Sequence, residues 1–147
     1  MAKKGKKPKP AEFVLDCSLA LAWCFPDEKA PGPHAVLDSL ATAIAVVPSL
    51  WHLEVGNAVL VGERKKRCSQ ADTVSWLGFL ASLPIEVDEE TALRAWSDVL
   101  NLARTHDLSA YDAAYLELAL RRGLPLASLD TKLNAAAAAA GVPMYTP

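Results

Sequence analysis

Short apolar runs alternate along this chain with longer stretches whose apolar positions recur at helical spacing. The first run, Phe13, Val14 and Leu15, predicts a buried strand over residues 12–16. A helix pattern follows from Ser18 through Leu19, Leu21, Ala22 and Trp23, and Pro26 breaks it. Further helices are predicted over 35–43, from a Ser49 cap to about Arg67, over 69–82 and over 91–105. Another opens at Ser109 and closes at Gly123, a residue suited to the position just past a helix end. The last runs through the alanines of 135–140 to Gly141. Strands are predicted over 44–47, 85–87 and 125–128, with a short terminal one over 142–145.

This alternation predicts an α/β fold. Strands that are apolar throughout imply a mainly parallel sheet of four to five strands covered on both faces, a three-layer α/β/α sandwich. No internal repeat or linker interrupts the pattern, so residues 11–147 are expected to form one domain behind a disordered basic tail, residues 1–10. In such sheets, sites form at the carboxyl ends of strands, near the point where strand order reverses.

Composition adds two constraints. With 52 % apolar residues in 147, the chain can bury a core. The formal net charge is −2, but Lys3, Lys4, Lys6, Lys7 and Lys9 all lie in the tail; without these five, ten basic residues face seventeen acidic ones. An acidic body argues against nucleic-acid binding by bulk charge, although not against a local basic patch. Cys17, Cys24 and Cys68 lack metal-type pairing, and their odd number argues against a secreted disulfide framework. They read as structural thiols in a reducing cytoplasm. No signal peptide or membrane-length apolar run is visible.

Four acids stand where strands end or helices begin: Asp16 in FVLDCS, Glu54 in PSLWHLEVGN, Asp112 in LSAYDAA and Asp130 in ASLDTKL. Each has an ordinary explanation. Asp16 and Asp130 suit helix caps, Asp112 stands three residues after Ser109 as in a capping box, and Glu54 lies in a first turn where the helix dipole favours acids. Together they suggest more, because four carboxylates converging among apolar segments require a cation. An all-oxygen site suits Mg²⁺ or Mn²⁺. Ser18, Asn57 and Ser128 are polar companions placed to support the acids or the water around a metal. His34, His52 and His106 show no ligand spacing. Trp23, Trp51, Trp76 and Trp96 read as core or interface residues. Arg64, Lys65, Lys66 and Arg67 form the densest basic run in the body, serving either the helix C-terminus or phosphates held beside the site. Arg121 and Arg122 read the same way.

The stretches VLDCSLALAW, VPSLWHLEVGNAVL, LSAYDAAYLELAL and LPLASLDTKL resemble PIN-domain proteins, most of all the VapC toxins of bacterial type II toxin–antitoxin pairs. The one mild departure is Cys17, where members often have a smaller residue such as alanine. The resemblance implies a PIN-like fold and a Mg²⁺- or Mn²⁺-dependent endoribonuclease. In it Asp16, Glu54, Asp112 and Asp130 bind metal, with Ser18, Asn57 and Ser128 as supports. It also implies an RNA substrate, a small antitoxin partner and a homodimer, while the free thiols point to a cytoplasmic location. Two other readings remain: a catalytically inactive PIN-like module that binds RNA or a protein, and a different phosphoryl-transfer enzyme with Asp16 as nucleophile. The second is disfavoured, because Ser18 occupies the place of a second aspartate and Cys17 that of an adjacent acid.

Overall fold

A computed structural model describes residues 5, 8–25 and 31–147. Most of the predicted tail, and the helix stop predicted at Pro26, lie outside the described residues. The four strands are β1 (Glu12–Leu15), β2 (Ile44–Pro48), β3 (Ile85–Asp88) and β4 (Leu126–Ala127). All pair in parallel in the order β3-β2-β1-β4. Val14 stands level with Val46 on one side and with Leu126 on the other. Strand order therefore reverses between β1 and β4. The predicted terminal strand is reduced to one bridge, Leu126 to Met144, so the sheet has four strands among the described residues.

Phe13, Val14, Leu15, Val46 and Val47 are fully buried. Covering on both faces accounts for their unbroken apolar character. Between β1 and β2 run α1 (Cys17–Ala22) and α2 (Pro31–Ser39); between β2 and β3 run α3 (Trp51–Arg64) and α4 (Gln70–Ala81). The long return from β3 to β4 carries α5 (Thr91–Arg94), α6 (Asp98–His106) and α7 (Ala110–Arg122), and α8 (Thr131–Ala139) follows β4. α1 packs on α3, and α7 on both α6 and α8. The chain reverses its direction across the sheet between β3 and β4.

Several predicted boundaries are corrected. α2 lies over 31–39 rather than 35–43. Ser49 does not cap α3; the cap position is Leu50, with no side-chain bond, and the helix ends at Arg64 rather than Arg67. A capping box forms instead at α4, where Ser69 accepts from the Asp72 N–H and the Ser69 N–H donates to the Asp72 carboxylate. The helix predicted over 91–105 is two helices broken around Ser97. The break re-aims α6 so that Val99 packs with Ala113 and Ala114 of α7. It also leaves Trp96 92 % exposed, which rules out the core place among the two expected for it, core or interface. Trp51 is buried, while Trp23 donates to the Pro33 carbonyl and Trp76 meets Phe25 edge-on. Gly123 ends α7 with φ of 64°, the left-handed turn expected of it. Among the described residues, no helix is long and apolar enough to cross a membrane.

Candidate acidic site at the strand switch point

Asp16 follows β1 directly, and its backbone N–H donates to the Ala127 carbonyl at 3.0 Å, tying it to the end of β4. Its side chain is 96 % buried, since only 4 % remains exposed, and it makes no helix-capping bond. Two hydroxyls instead meet the same oxygen, Oδ2: Ser18 donates at 2.6 Å and Ser128 at 2.7 Å. Each hydroxyl also accepts a backbone N–H at 3.0 Å, Ser18 from Leu129 across the switch point and Ser128 from Asp130 two residues on in its own segment. The switch point between β1 and β4 is thus closed by two serines sharing one carboxylate oxygen. Asn134, on the first turns of α8, holds the Ser128 carbonyl through its Nδ2 at 2.9 Å.

The other three acids approach from three helices. Glu54 lies in the first turn of α3 and accepts from the Tyr115 hydroxyl at 2.5 Å. Asp112 lies in the first turn of α7, where Ser109 caps its backbone N–H. Asp130 is the cap of α8 and accepts the Leu133 N–H on Oδ1 at 2.9 Å. Asp130 therefore does serve as a cap and Glu54 does stand in a first turn, as their ordinary readings required, whereas Asp16 takes the cap position of α1 without a capping bond.

Charge joins the four into one cluster. Burial raises the Asp16 carboxyl above the usual range, the two serine hydroxyls work against that, and the charge of Asp130 adds to it. Glu54 is raised by burial, held down by Tyr115 and raised again by Asp16 and Asp112. Asp112 is raised by burial and by Asp130 and Asp16, with Ser109 and Lys132 opposing. Burial also pushes the Cys24 thiol up to about 11, and lifts the Cys17 thiol as well, with Glu54 and Asp16 adding. Both thiols are free and buried and stay protonated, as structural cysteines should.

The treatment of these acids differs from that of the buried acids elsewhere. Asp88 and Glu117, 8 % and 5 % exposed, are met by the guanidinium of Arg121 at 2.8 and 2.7 Å. Arg121 also reaches Glu90 at 2.6 Å, so it is bound into the fold rather than offered to a ligand. The side chains that meet Asp16 and Glu54 do so through hydroxyls, and neither acid pairs with a cation among the described residues. Their negative charge is oriented and left uncompensated. Among the described residues no three His, Cys, Asp or Glu side chains form a ready-made ligand set. The donors nevertheless suit a hard divalent cation such as Mg²⁺, which takes one or two carboxylates directly and keeps several waters.

Of the other predicted residues, Asn57 is exposed one turn beyond Glu54 and bonds to no described side chain. Arg64, Lys65, Lys66 and Arg67 are exposed at the other end of α3, roughly 15 Å along the helix from Glu54 at 1.5 Å per residue. Arg67 also stacks over the Phe25 ring at 4.6 Å. The fold thus brings Ser18 and Ser128 to the acids and does not bring the basic run there. A cavity of about 430 Å³ lined by residues of α3, α4 and β3, including Trp51 and Leu80, is mostly apolar and includes none of the four acids. Sequence reasoning missed Tyr115. Its spacing of three from Asp112 places both on one helix face, a signal that was available.

Residues 13–139 match the family model of the PIN domain. No functionally curated protein matches the sequence. Among solved structures, PAE2754 from Pyrobaculum aerophilum is similar with a TM-score of 0.64 and 27 % identity, over 86 % of each chain. VapC20 of Mycobacterium tuberculosis, described as a Sarcin-Ricin loop cleaving toxin, gives a TM-score of 0.64 at 17 % identity, over 92 % of this chain and 99 % of that one. FitAcB from Neisseria gonorrhoeae gives 0.51 at 20 % identity, over 92 % and 97 %.

Proposed function

The chain belongs to the PIN-domain family, and from that premise we propose that it is a Mg²⁺- or Mn²⁺-dependent endoribonuclease, the toxin of a type II toxin–antitoxin pair. The observation that carries this reading is the buried Asp16 carboxylate, oriented by two hydroxyls and coupled in charge to Glu54, Asp112 and Asp130, with no basic partner among the described residues. The likeness to VapC20 supports the toxin assignment, and its description as a cleaving toxin supports RNA as substrate.

In this reading Asp16, Glu54, Asp112 and Asp130 hold the cation. When bound, such an ion lowers the pKa of a coordinated water and offsets charge building on the phosphate. Ser18 and Ser128 fix the direction of Asp16, so the ligand set is arranged before RNA arrives. Asn57 offers an exposed amide one turn from Glu54, in position to steady a water or a phosphate oxygen. Lys132 lies near enough to Asp112 to lower its pKa and supplies positive charge at the rim. Arg64, Lys65, Lys66 and Arg67 serve as a more distant phosphate contact along the RNA. A small antitoxin is the protein partner, a homodimer the working form and the cytoplasm the compartment.

The test is cleavage of RNA by the purified chain, with Asp16→Asn and with chelator. Wild type should cut only with Mg²⁺ or Mn²⁺, Asp16→Asn should lose most activity, and expression of wild type alone should arrest growth. Equal cleavage by both proteins, or activity indifferent to chelation, refutes the assignment. Metal-free binding of RNA without cleavage would favour the inactive PIN-like module instead.

A further inference from the structure

Tyr115 is a fully buried tyrosine whose hydroxyl reaches across the fold to a glutamate 61 positions away in sequence. A buried phenol needs an acceptor, and a backbone carbonyl would serve that need. Here the acceptor is a carboxylate of the acidic cluster, Glu54 Oε1. No described side chain donates to Glu54 Oε2. Building on the nuclease reading above, we propose that Tyr115 is the positioning residue for Glu54, holding Oε1 so that Oε2 is the ligand atom for the divalent cation.

Two features of the molecule carry this. The first is the contrast in how buried acids are served. Asp88 and Glu117 receive a guanidinium, which neutralises them, whereas Asp16 and Glu54 receive neutral hydroxyls, which orient a carboxylate and leave its charge available. The second is the pairing on one helix. Tyr115 stands one turn past Asp112, so the first turns of α7 set two of the four acids, one through its own side chain and one through the phenol. Burial and the neighbouring Glu54 charge push the phenol further above its usual range, so it stays a donor at every working pH.

The experiment compares wild type, Tyr115→Phe and Glu54→Gln by calorimetric titration with Mn²⁺ and by RNA cleavage across Mn²⁺ concentrations. Loss of a partner that orients a metal ligand weakens metal binding about tenfold or more. Tyr115→Phe should therefore raise the Mn²⁺ dissociation constant by about that factor. The Mn²⁺ concentration for half-maximal cleavage should rise in step, with little change in rate at saturating metal. A tyrosine that only packs would lower the melting temperature and leave both Mn²⁺ midpoints unchanged; that result overturns the proposal while leaving the nuclease reading intact. If wild type binds no Mn²⁺, or Glu54→Gln binds it equally well, the reading of the acids fails and the Tyr115 role with it. Should Tyr115→Phe not fold, 3-fluorotyrosine incorporated into wild type gives the answer. The Tyr115 fluorine signal should shift on Mg²⁺ addition while that of Tyr145, stacked on Phe13, stays fixed; an unmoved Tyr115 signal overturns the proposal.

Discussion

Ser128→Ala is expected to destabilise the protein more than Ser18→Ala, although each serine makes the same pair of bonds. Ser128 is 4 % exposed, donates to Asp16 Oδ2 at 2.7 Å and accepts the Asp130 N–H at 3.0 Å. Alanine removes a hydrogen bond to a charged group, roughly 1.5–3 kcal/mol, and leaves the Asp130 N–H without its acceptor, roughly 1 kcal/mol more. The expected loss is about 3 kcal/mol. Ser18 is only half-buried, so water can replace its hydroxyl at both Asp16 and Leu129, and about 1.5 kcal/mol is expected there. Unfolding entropy near 2.1 cal/mol/K per residue gives this 147-residue chain about 3 °C per kcal/mol. Thermal denaturation in chelator should then show a fall of roughly 9 °C for Ser128→Ala and roughly 5 °C for Ser18→Ala. The double variant should lose less than the sum, because the two hydroxyls share one oxygen and the Asp16 carboxyl, stripped of both, protonates. Strict additivity, or a larger loss at Ser18, would refute the shared-oxygen account.

Two further outcomes follow from the charges. Arg121→Ala strands the nearly buried Glu117 carboxylate without a cation and leaves Asp88 only the longer contact to Arg122 at 3.5 Å, and removing one side of a buried pair costs about 3–5 kcal/mol. Urea denaturation should show that loss, and a change under about 1 kcal/mol would mean water already screens the network. The pH dependence has opposite signs at the two acidic groups. Asp16, Glu54 and Asp112 have raised folded pKa values, so their contribution is full below the unfolded value near 4 and is lost as pH rises through the raised values. Asp88 is lowered, chiefly by Arg121, so its contribution holds above the unfolded value and is lost as pH falls through the depressed one. In chelator the protein should therefore be more stable near pH 5 than near pH 8. Asp16→Asn should flatten that slope and add ~1 kcal/mol at neutral pH, the gain usual when a functional residue is relieved of its role. An Asp16→Asn protein less stable than wild type at pH 8 would contradict the raised carboxyl.

Much of this was legible in the chain itself. The unbroken apolar runs at Phe13–Leu15 and 44–47 marked strands covered on both faces, and Ser109 and Gly123 marked the ends of α7. The four acids were visible because each interrupts an apolar segment at an element boundary. Such signals are local, carried by residues within a turn or two of each other. Where the sequence misled, a distant contact had overridden local preference: the helix over 91–105 breaks so that Val99 can meet α7. The order β3-β2-β1-β4 is also absent from any periodicity, and it alone sets Ser18 and Ser128 on one oxygen of Asp16 across 110 positions of chain. Tertiary structure likewise decided that Tyr115 meets Glu54 and that Arg121 is bound to Asp88 and Glu117. The chain determined which residues could do chemistry, because hydropathy and capping act locally. The fold decided which of them meet, because a hydrogen bond between distant side chains forms only after the strands between them have been ordered.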